Sequence, residues 1–328
     1  MELITATVPD SPARVDEPTR DPLVVGLVQT RWHADPDEHA EVLADGIRTA
    51  ARAGARVVCL PELTLSRYPA DTKPDGDAAA TAEDLDSGPT YAFAAKAAAD
   101  AGVAVHASLF ERADGPSGPD GLGYNTAIMV GPDGTLLGRT RKLHIPVSAG
   151  YYEDHYFRGG PAAGDPYPVV ELPVPGGTPA RFGLPTCWDQ WFPEVARAYS
   201  LAGTEIIVYP TAIGSEPDHP DFDTQPLWRQ VIVGNGIANG TFMVVPNRWG
   251  DEGTLRFYGS SFISDPYGRV LASAPRDADA VLVAPLDLDQ RRDWLTLFPF
   301  LETRRPDTYG SLSEETCAGS NQARRSDA

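Results

Sequence analysis

The chain has 328 residues, 42% of them hydrophobic and 22% charged, a balance that supports one large buried core or two modest ones. Its formal net charge of −19 repels phosphate backbones, which excludes nucleic acid as an expected partner and is compatible with solubility and a cationic substrate. No apolar run approaches the roughly 20 residues of a membrane helix, and the opening MELITATVPDSPARVDEPTRD lacks the basic start and apolar stretch of a secretory signal.

Residues 1–22 are rich in Pro, Asp and Thr and lack hydrophobic periodicity, so they read as a flexible arm. A strand is predicted over 23–32. A helix follows from about Pro36 to Ala53, capped by Asp35 or Asp37 and closed by Gly54. The run ARVVCLPEL is a second buried strand with Glu62 just past its end. A helix over 90–101, stopped by Gly102, leads to the strand VAVHASLF. YNTAIMVGPDGTLLGRTRKLHI then reads as a hairpin around Pro132-Asp133-Gly134, with Lys142 at the exit of its second strand. After a Tyr- and Gly-rich loop over 146–166, strands VVELP and ARFGLPT lead to Cys187. Helices after Pro193 and over 226–239 alternate with strands EIIVYP and TFMVVPN, and strands GSSFISD, RVLASA and AVLVAPLDL complete a body spanning 23–309. The remainder, 310–328, reads as a polar, disordered tail. Alternating strands and helices interrupted by hairpins imply a layered α/β domain with mixed sheets.

Three scattered cysteines, Cys59, Cys187 and Cys317, argue against a disulfide framework and for a reducing cytoplasm. The six histidines show no metal-ligand spacing, so no metal site is expected. Chemistry concentrates in three segments that each end a strand with a reactive group: LPEL (60–63), RKLHIP (141–146) and CWDQWFPE (187–194). Taken singly, Glu62 is also explained as a surface or capping carboxylate and Lys142 as a solvated strand end. Cys59, in RVVCLPE, has the setting of a small buried hydrophobe. Cys187 instead sits where a strand gives out, ahead of an aromatic cluster. Cleavage of an amide or ureide needs a nucleophile, a base for its proton and a donor for the developing oxyanion. Cys187, Glu62 and Lys142 can supply all three; His144 is an alternative base.

The order Glu62, Lys142, Cys187 resembles the Glu–Lys–Cys triad of the nitrilase superfamily of carbon–nitrogen hydrolases, and the likeness runs from VVGLVQT to RRPDTY. The resemblance implies a four-layer α-β-β-α sandwich and a homodimer or higher homo-oligomer, with no cofactor. It makes Glu62 the general base and Cys187 the nucleophile. Lys142 and the backbone N–H of Trp188 become the oxyanion donors, and Glu153 in YYEDHYF a second glutamate that orients substrate and lysine. Trp188, Asp189, Trp191 and Thr211 are the expected substrate contacts. CWDQWFPE, YPTAIGSEP, YGSSFISDPYG and RRPDTY resemble the N-carbamoylputrescine amidase branch, whose members release ammonia, carbon dioxide and a free amine from an N-carbamoyl compound. Other small-amide amidases, β-ureidopropionase-like enzymes, nitrilases and biosynthetic acyl transferases would use the same triad. The chain departs from the branch at Val147 and Leu227, where polar residues are common, at Gly234-Asn235-Gly236, and at Pro185 in the nucleophile strand. The apolar Val147 and Leu227 imply a relaxed preference for a distal cation, with Asp189, Glu216, Trp188, Trp191 and Trp228 as the groups able to hold one.

Overall fold

The computed structural model describes residues 1–174 and 177–314. In chain order the strands are β1 (Glu2–Thr5), β2 (Leu23–Gln29), β3 (Val57–Cys59), β4 (Ala104–Glu111), β5 (Tyr124–Val130), β6 (Leu136–Arg141), β7 (Val169–Leu172), β8 (Ala180–Gly183), β9 (Ile206–Val208), β10 (Phe242–Val245), β11 (Trp249–Asp251), β12 (Arg256–Tyr258), β13 (Phe262–Ser264), β14 (Val270–Ser273) and β15 (Ala280–Leu286). The helices are α1 (Pro36–Arg52), α2 (Pro89–Ala101), α3 (Pro193–Leu201), α4 (Gln225–Asn239) and α5 (Asp289–Leu297).

Two large mixed sheets and a two-stranded hairpin of β11 and β12 result among the described residues. One large sheet runs β1-β15-β2-β3-β4-β5-β6 and the other β14-β13-β10-β9-β8-β7. Side chains alternate across each strand, so each sheet contributes to two cores. Leu23, Val25 and Leu27 of β2 face Phe182, Ile206 and Val208 of the other sheet in an apolar layer between the sheets. Val28, on the opposite face, packs with Leu43, Ile47 and Ala50 of α1. The second sheet is covered in turn, with Val195 and Tyr199 of α3 and Trp228 and Ile232 of α4 against Ile207 and Met243. The layers are therefore α-β-β-α. A strand buried on both faces has no polar side to show, which is why β2 and β15 read as nearly continuous apolar runs. Gly26 is required where α1 crosses β2, since a Cβ there would stand 2.8 Å from that of Ala50.

Local signals place the helix ends. Asp35 caps α1 by accepting from the backbone N–H of Asp37 and Glu38, with Pro36 in the first turn. Gly102 ends α2 and Gly240 ends α4, both left-handed. The first 22 residues differ from the expected flexible arm. β1 adds to β15 in parallel, and Arg14 pairs with Asp287 at 2.6 Å and Asp293 at 3.0 Å. Thr19 and Arg20 bond Asp289 and Glu205. A Pro- and Asp-rich segment orders here because α5 and an open sheet edge supply the partners that its own sequence lacks. The tail assignment falls partly outside the described residues: 310–313 form a turn of 3-10 helix, while 315–328, with Cys317, are not described. No helix among the described residues is long and apolar enough to cross a membrane.

Candidate active site

Glu62 follows β3 on a tight turn. Leu63 takes a left-handed φ of 49°, a costly conformation for a branched residue, and three bonds hold it there. The Arg248 guanidinium donates to the carbonyls of Glu62 (2.7 Å), Leu63 (3.1 Å) and Ser66 (3.2 Å). The Glu62 carboxylate is fully buried. Its Oε1 accepts from Lys142 Nζ (2.9 Å) and Asn125 Nδ2 (2.7 Å), and Oε2 accepts from the N–H of Ala212 (2.8 Å).

Lys142 continues from β6. Its backbone N–H donates to Asn125 O and its carbonyl accepts from Gly160, so the side chain is aimed into the protein. Besides Glu62, its ammonium reaches Glu153 Oε2 at 2.6 Å, and Tyr68 Oη donates to the other Glu153 oxygen at 2.8 Å. Burial alone would strip the proton from this lysine. The charges of Glu153 and Glu62 outweigh it and hold the ammonium above the usual lysine range. One cation between two carboxylates leaves the cluster net negative. Burial accordingly pushes Glu153 up to about 7 against the pull of Lys142.

Cys187 opens a short turn of 3-10 helix, Cys187–Trp191, four residues after β8 ends at Gly183. Pro185 cuts the strand shorter than the expected run to Thr186, because it offers no N–H to a neighbour. The nucleophile candidate takes a φ of 38°, and its N–H donates to Pro210 O at 3.0 Å. Burial and the nearby Glu62 charge raise the thiol well above its ordinary pKa, against Lys142, so Cys187 rests as a neutral thiol. Among the described residues, the N–H of Trp188 has no acceptor, leaving a free donor one residue from the sulfur.

Cys187 and Glu153 line a cavity of about 120 Å³. Trp188, Trp191, Ile213, Leu227 and Pro146 form apolar walls, and Glu216, Thr224, Ser148 and Tyr151 supply polar groups. Glu216 is partly buried, which raises its pKa against a 3.4 Å bond from Thr224. Of the expected substrate contacts, Trp188 and Trp191 line this cavity. Asp189 and Thr211 do not line it. Asp189 folds back on its own turn and onto the backbone after Lys142, as third residues of helical turns do. Thr211 spends its hydroxyl on Pro246 O. Trp228 is fully buried in the core, bonded to Gln190, and Val147 points to solvent. His144 Nδ1 meets Asp189 at 2.7 Å and its ring stacks on Phe192, away from the cavity. Sequence reading missed Asn125, Tyr68, Tyr151 and Arg248. Asn125 alone carried a signal, as a polar residue inside an otherwise apolar strand; its neighbour Thr126 pairs with Arg141, which sets Asn125 opposite Lys142.

A sequence profile for carbon-nitrogen hydrolase matches residues 24–295. The chain belongs to that family. This hydrolase is 36% identical over 295 residues to a citrullinase of Francisella tularensis, covering 88% of this chain and 97% of that one. It is 35% identical over 304 residues to an N-carbamoylputrescine amidase of Arabidopsis thaliana, covering 90% and 97%. A solved carbon-nitrogen hydrolase from Helicobacter pylori superposes with a TM-score of 0.75 at 29% identity, covering 90% of this chain and 99% of that one. A second, an amidase variant from Nesterenkonia sp. AN1 whose active-site cysteine has added to acrylamide, gives 0.66 at 25% identity and covers 87% and 97%. The fold of this hydrolase is the nitrilase-type sandwich expected from its motifs.

Proposed function

We propose that the chain hydrolyses N-carbamoyl amines that carry a distal ammonium, with Cys187 as nucleophile, Glu62 as general base and Lys142 as oxyanion donor. The observation that carries this reading is one cavity that joins a thiol, apolar walls and the Glu216 carboxylate, and has no Lys, Arg or His in its lining. A ureido group at the thiol, an alkyl chain along the tryptophans and a cation at Glu216 match that order of chemistry. An ammonium needs such a carboxylate or aromatic face to offset its desolvation. Because Val147 faces solvent and Glu216 faces the cavity, the reading favours a cation rather than the relaxed preference implied by Val147 and Leu227. An α-carboxylate, as in citrulline, would find no cationic partner on the lining.

In the reaction, Glu62 takes the thiol proton as sulfur attacks the ureido carbon. Negative charge develops on oxygen, where the Lys142 ammonium and the Trp188 N–H can receive it. The C–N bond breaks, and the leaving nitrogen takes the proton from Glu62. Water, deprotonated by Glu62, then attacks the acyl-enzyme; the C–S bond breaks, the sulfur takes the proton back from Glu62, and the carbamate released falls apart to carbon dioxide and the second nitrogen compound. Glu153 and Tyr68 hold Lys142 in place throughout.

The test is a panel of carbamoylputrescine, a neutral carbamoyl alkylamine of equal length, citrulline, simple amides and nitriles, read as ammonia and carbon dioxide, with added amine to detect acyl transfer. The expected order puts carbamoylputrescine first by about tenfold to a hundredfold in kcat/KM over the neutral analogue, or ~1.4–2.7 kcal/mol. Ammonia without carbon dioxide from a simple amide as the best substrate would overturn the assignment. A groove of about 970 Å³ over α3 and α4, with Leu201, Ile237, Phe300 and Leu312 in its lining, supports a homodimer through the helix layer. The free thiols Cys59 and Cys187 support a reducing, cytoplasmic setting.

A further inference from the structure

Asp189 stands two residues from the thiol and lines no part of the cavity, yet its side chain is completely buried. Both carboxylate oxygens are committed. Oδ2 accepts from the N–H of Thr186 at 3.1 Å and, more loosely, of Leu143 at 3.4 Å. Oδ1 accepts from the N–H of His144 at 3.0 Å and lies 2.7 Å from His144 Nδ1. Thr186 immediately precedes Cys187; Leu143 and His144 immediately follow Lys142. The His144 ring lies flat on Phe192, which leads from the nucleophile turn into α3, with centroids 3.6 Å apart and planes 11° from parallel.

The two segments so joined come from different sheets. Cys187 is delivered by β8 of the six-stranded sheet and Lys142 by β6 of the seven-stranded sheet. Among the described residues no strand ladder links those sheets, so side-chain ties between them help to set their separation near the site. A helix cap requires bonds only to its own turn. Here three of the four contacts go to a segment 45 residues away in sequence. We infer that Asp189 is a positioning residue: its carboxylate pins the thiol turn to the lysine segment and so sets the register between nucleophile and oxyanion donors. This rests on the roles proposed above for Cys187 and Lys142. The effect required of it is large, since a misplacement of about 1 Å costs roughly a hundredfold in rate.

The test uses Asp189→Asn and His144→Asn in the full chain. Asp189→Asn keeps the shape but turns an N–H donor toward N–H donors. His144→Asn removes the ring from a partly exposed position that the fold tolerates. Expected for Asp189→Asn is a fall of about a hundredfold in kcat with KM for carbamoylputrescine within about threefold, and a parallel fall in the rate of Cys187 alkylation by iodoacetamide. His144→Asn should give about a tenfold fall in both rates with the same KM. If the His144 variant keeps wild-type kcat and alkylation rate, the joint is a structural cap only and the inference fails. It fails equally if a folded Asp189 variant loses thermal stability alone. Alkylation needs no substrate, so failure of the substrate assignment leaves this readout standing. Loss of the whole active-site reading would appear separately, as labelling of wild-type protein that persists in Cys187→Ser.

Discussion

The polar cluster around Lys142 and the wall that faces substrate are built on opposite terms. In the cluster each oxygen of Glu62 and Glu153 has a donor, and the ammonium is held between them. On the wall, polar atoms stand idle. Among the described residues, the indole N–H of Trp191 is buried without a partner and the Glu216 carboxylate has only Thr224, while Tyr258, outside the lining itself, buries an unpartnered hydroxyl near Glu216. Preorganised charges act on a transition state without reorganising, so the cluster is satisfied in advance. Unmet donors and acceptors are costly in isolation and are relieved by a ligand that pairs with them. One half of the site is therefore finished before substrate arrives, and the other is completed by it.

The largest effect should come from breaking the finished half at its nucleophile. Cys187→Ser is expected to lower kcat by about 10⁴-fold or more while the protein stays folded, because a hydroxyl is a poor substitute for the thiol at this turn. Cys59 provides the contrast. It is equally buried, but on an extended strand in an apolar layer, where burial alone raises its pKa. Cys59→Ser should cost about 1–3 kcal/mol of stability, as a buried hydroxyl without a partner, and leave kcat nearly unchanged. Activity measured beside thermal unfolding decides it: a near-normal Cys187→Ser beside a dead Cys59→Ser would reverse the roles.

Lys142→Ala comes next. It removes an oxyanion donor and leaves Glu62 and Glu153 facing each other unneutralised, so kcat should fall by roughly 10²–10³-fold. Lys142→Arg should not rescue it, because a planar fork cannot replace a point charge in a fully enclosed slot between two carboxylates. Wild-type kcat in Lys142→Arg would mean that the ammonium contributes no specific geometry.

How much of this was legible follows the same division. Glu62, Lys142 and Cys187 each end a strand beside a turn-former or an aromatic cluster, and local sequence shows that. The sheet order brings them together, and the alternation of strands and helices was enough to imply layers. Asn125 and Tyr68 approach from other elements, so no spacing rule links them to Glu62 or Glu153. Asp189 looked like a pocket acid and is a tie between segments, because sequence shows which groups are polar and not which way a short turn folds them. β1 and the pairing of residues 14–20 with Asp287, α5 and Glu205 were invisible for a related reason. Their stability lies in partners far away in sequence, more than 250 residues for Arg14 and Thr19.

Glu216→Gln tests the unfinished half. Burial raises this carboxylate, so its charged form is lost at a higher pH than that of a free glutamate. KM for a cationic carbamoyl amine should therefore rise as pH falls through that raised value, while KM for a neutral analogue of equal length stays flat. Glu216→Gln should raise KM for the cation by about tenfold to thirtyfold, or ~1.4–2 kcal/mol, and abolish its acid-side rise. Equal losses for cation and neutral analogue would show that the residue shapes the wall and does not read charge.

The smallest expected effect concerns Tyr258. Its ring packs on Trp228 and Arg276, and its hydroxyl, buried beside Thr224 and near Tyr151, Cys187 and Glu216, has no well-aligned hydrogen-bond partner among the described residues. Burial, with Tyr151, Cys187 and Glu216 adding to it against Thr224, holds the phenol well above its ordinary pKa, so it stays protonated and offers a donor and an acceptor. Removing an unsatisfied buried hydroxyl relieves a penalty, so Tyr258→Phe should unfold at the same temperature as wild type or higher. If the hydroxyl waits for the amine end of the substrate, the same change should raise KM for carbamoylputrescine by about threefold to tenfold, the value of one neutral hydrogen bond. It should leave the neutral analogue untouched. A variant that is less stable, with both KM values unchanged, would mean that the hydroxyl is already satisfied by water inside the fold, and the contrast between the two halves of the site would then narrow to Glu216 and Trp191.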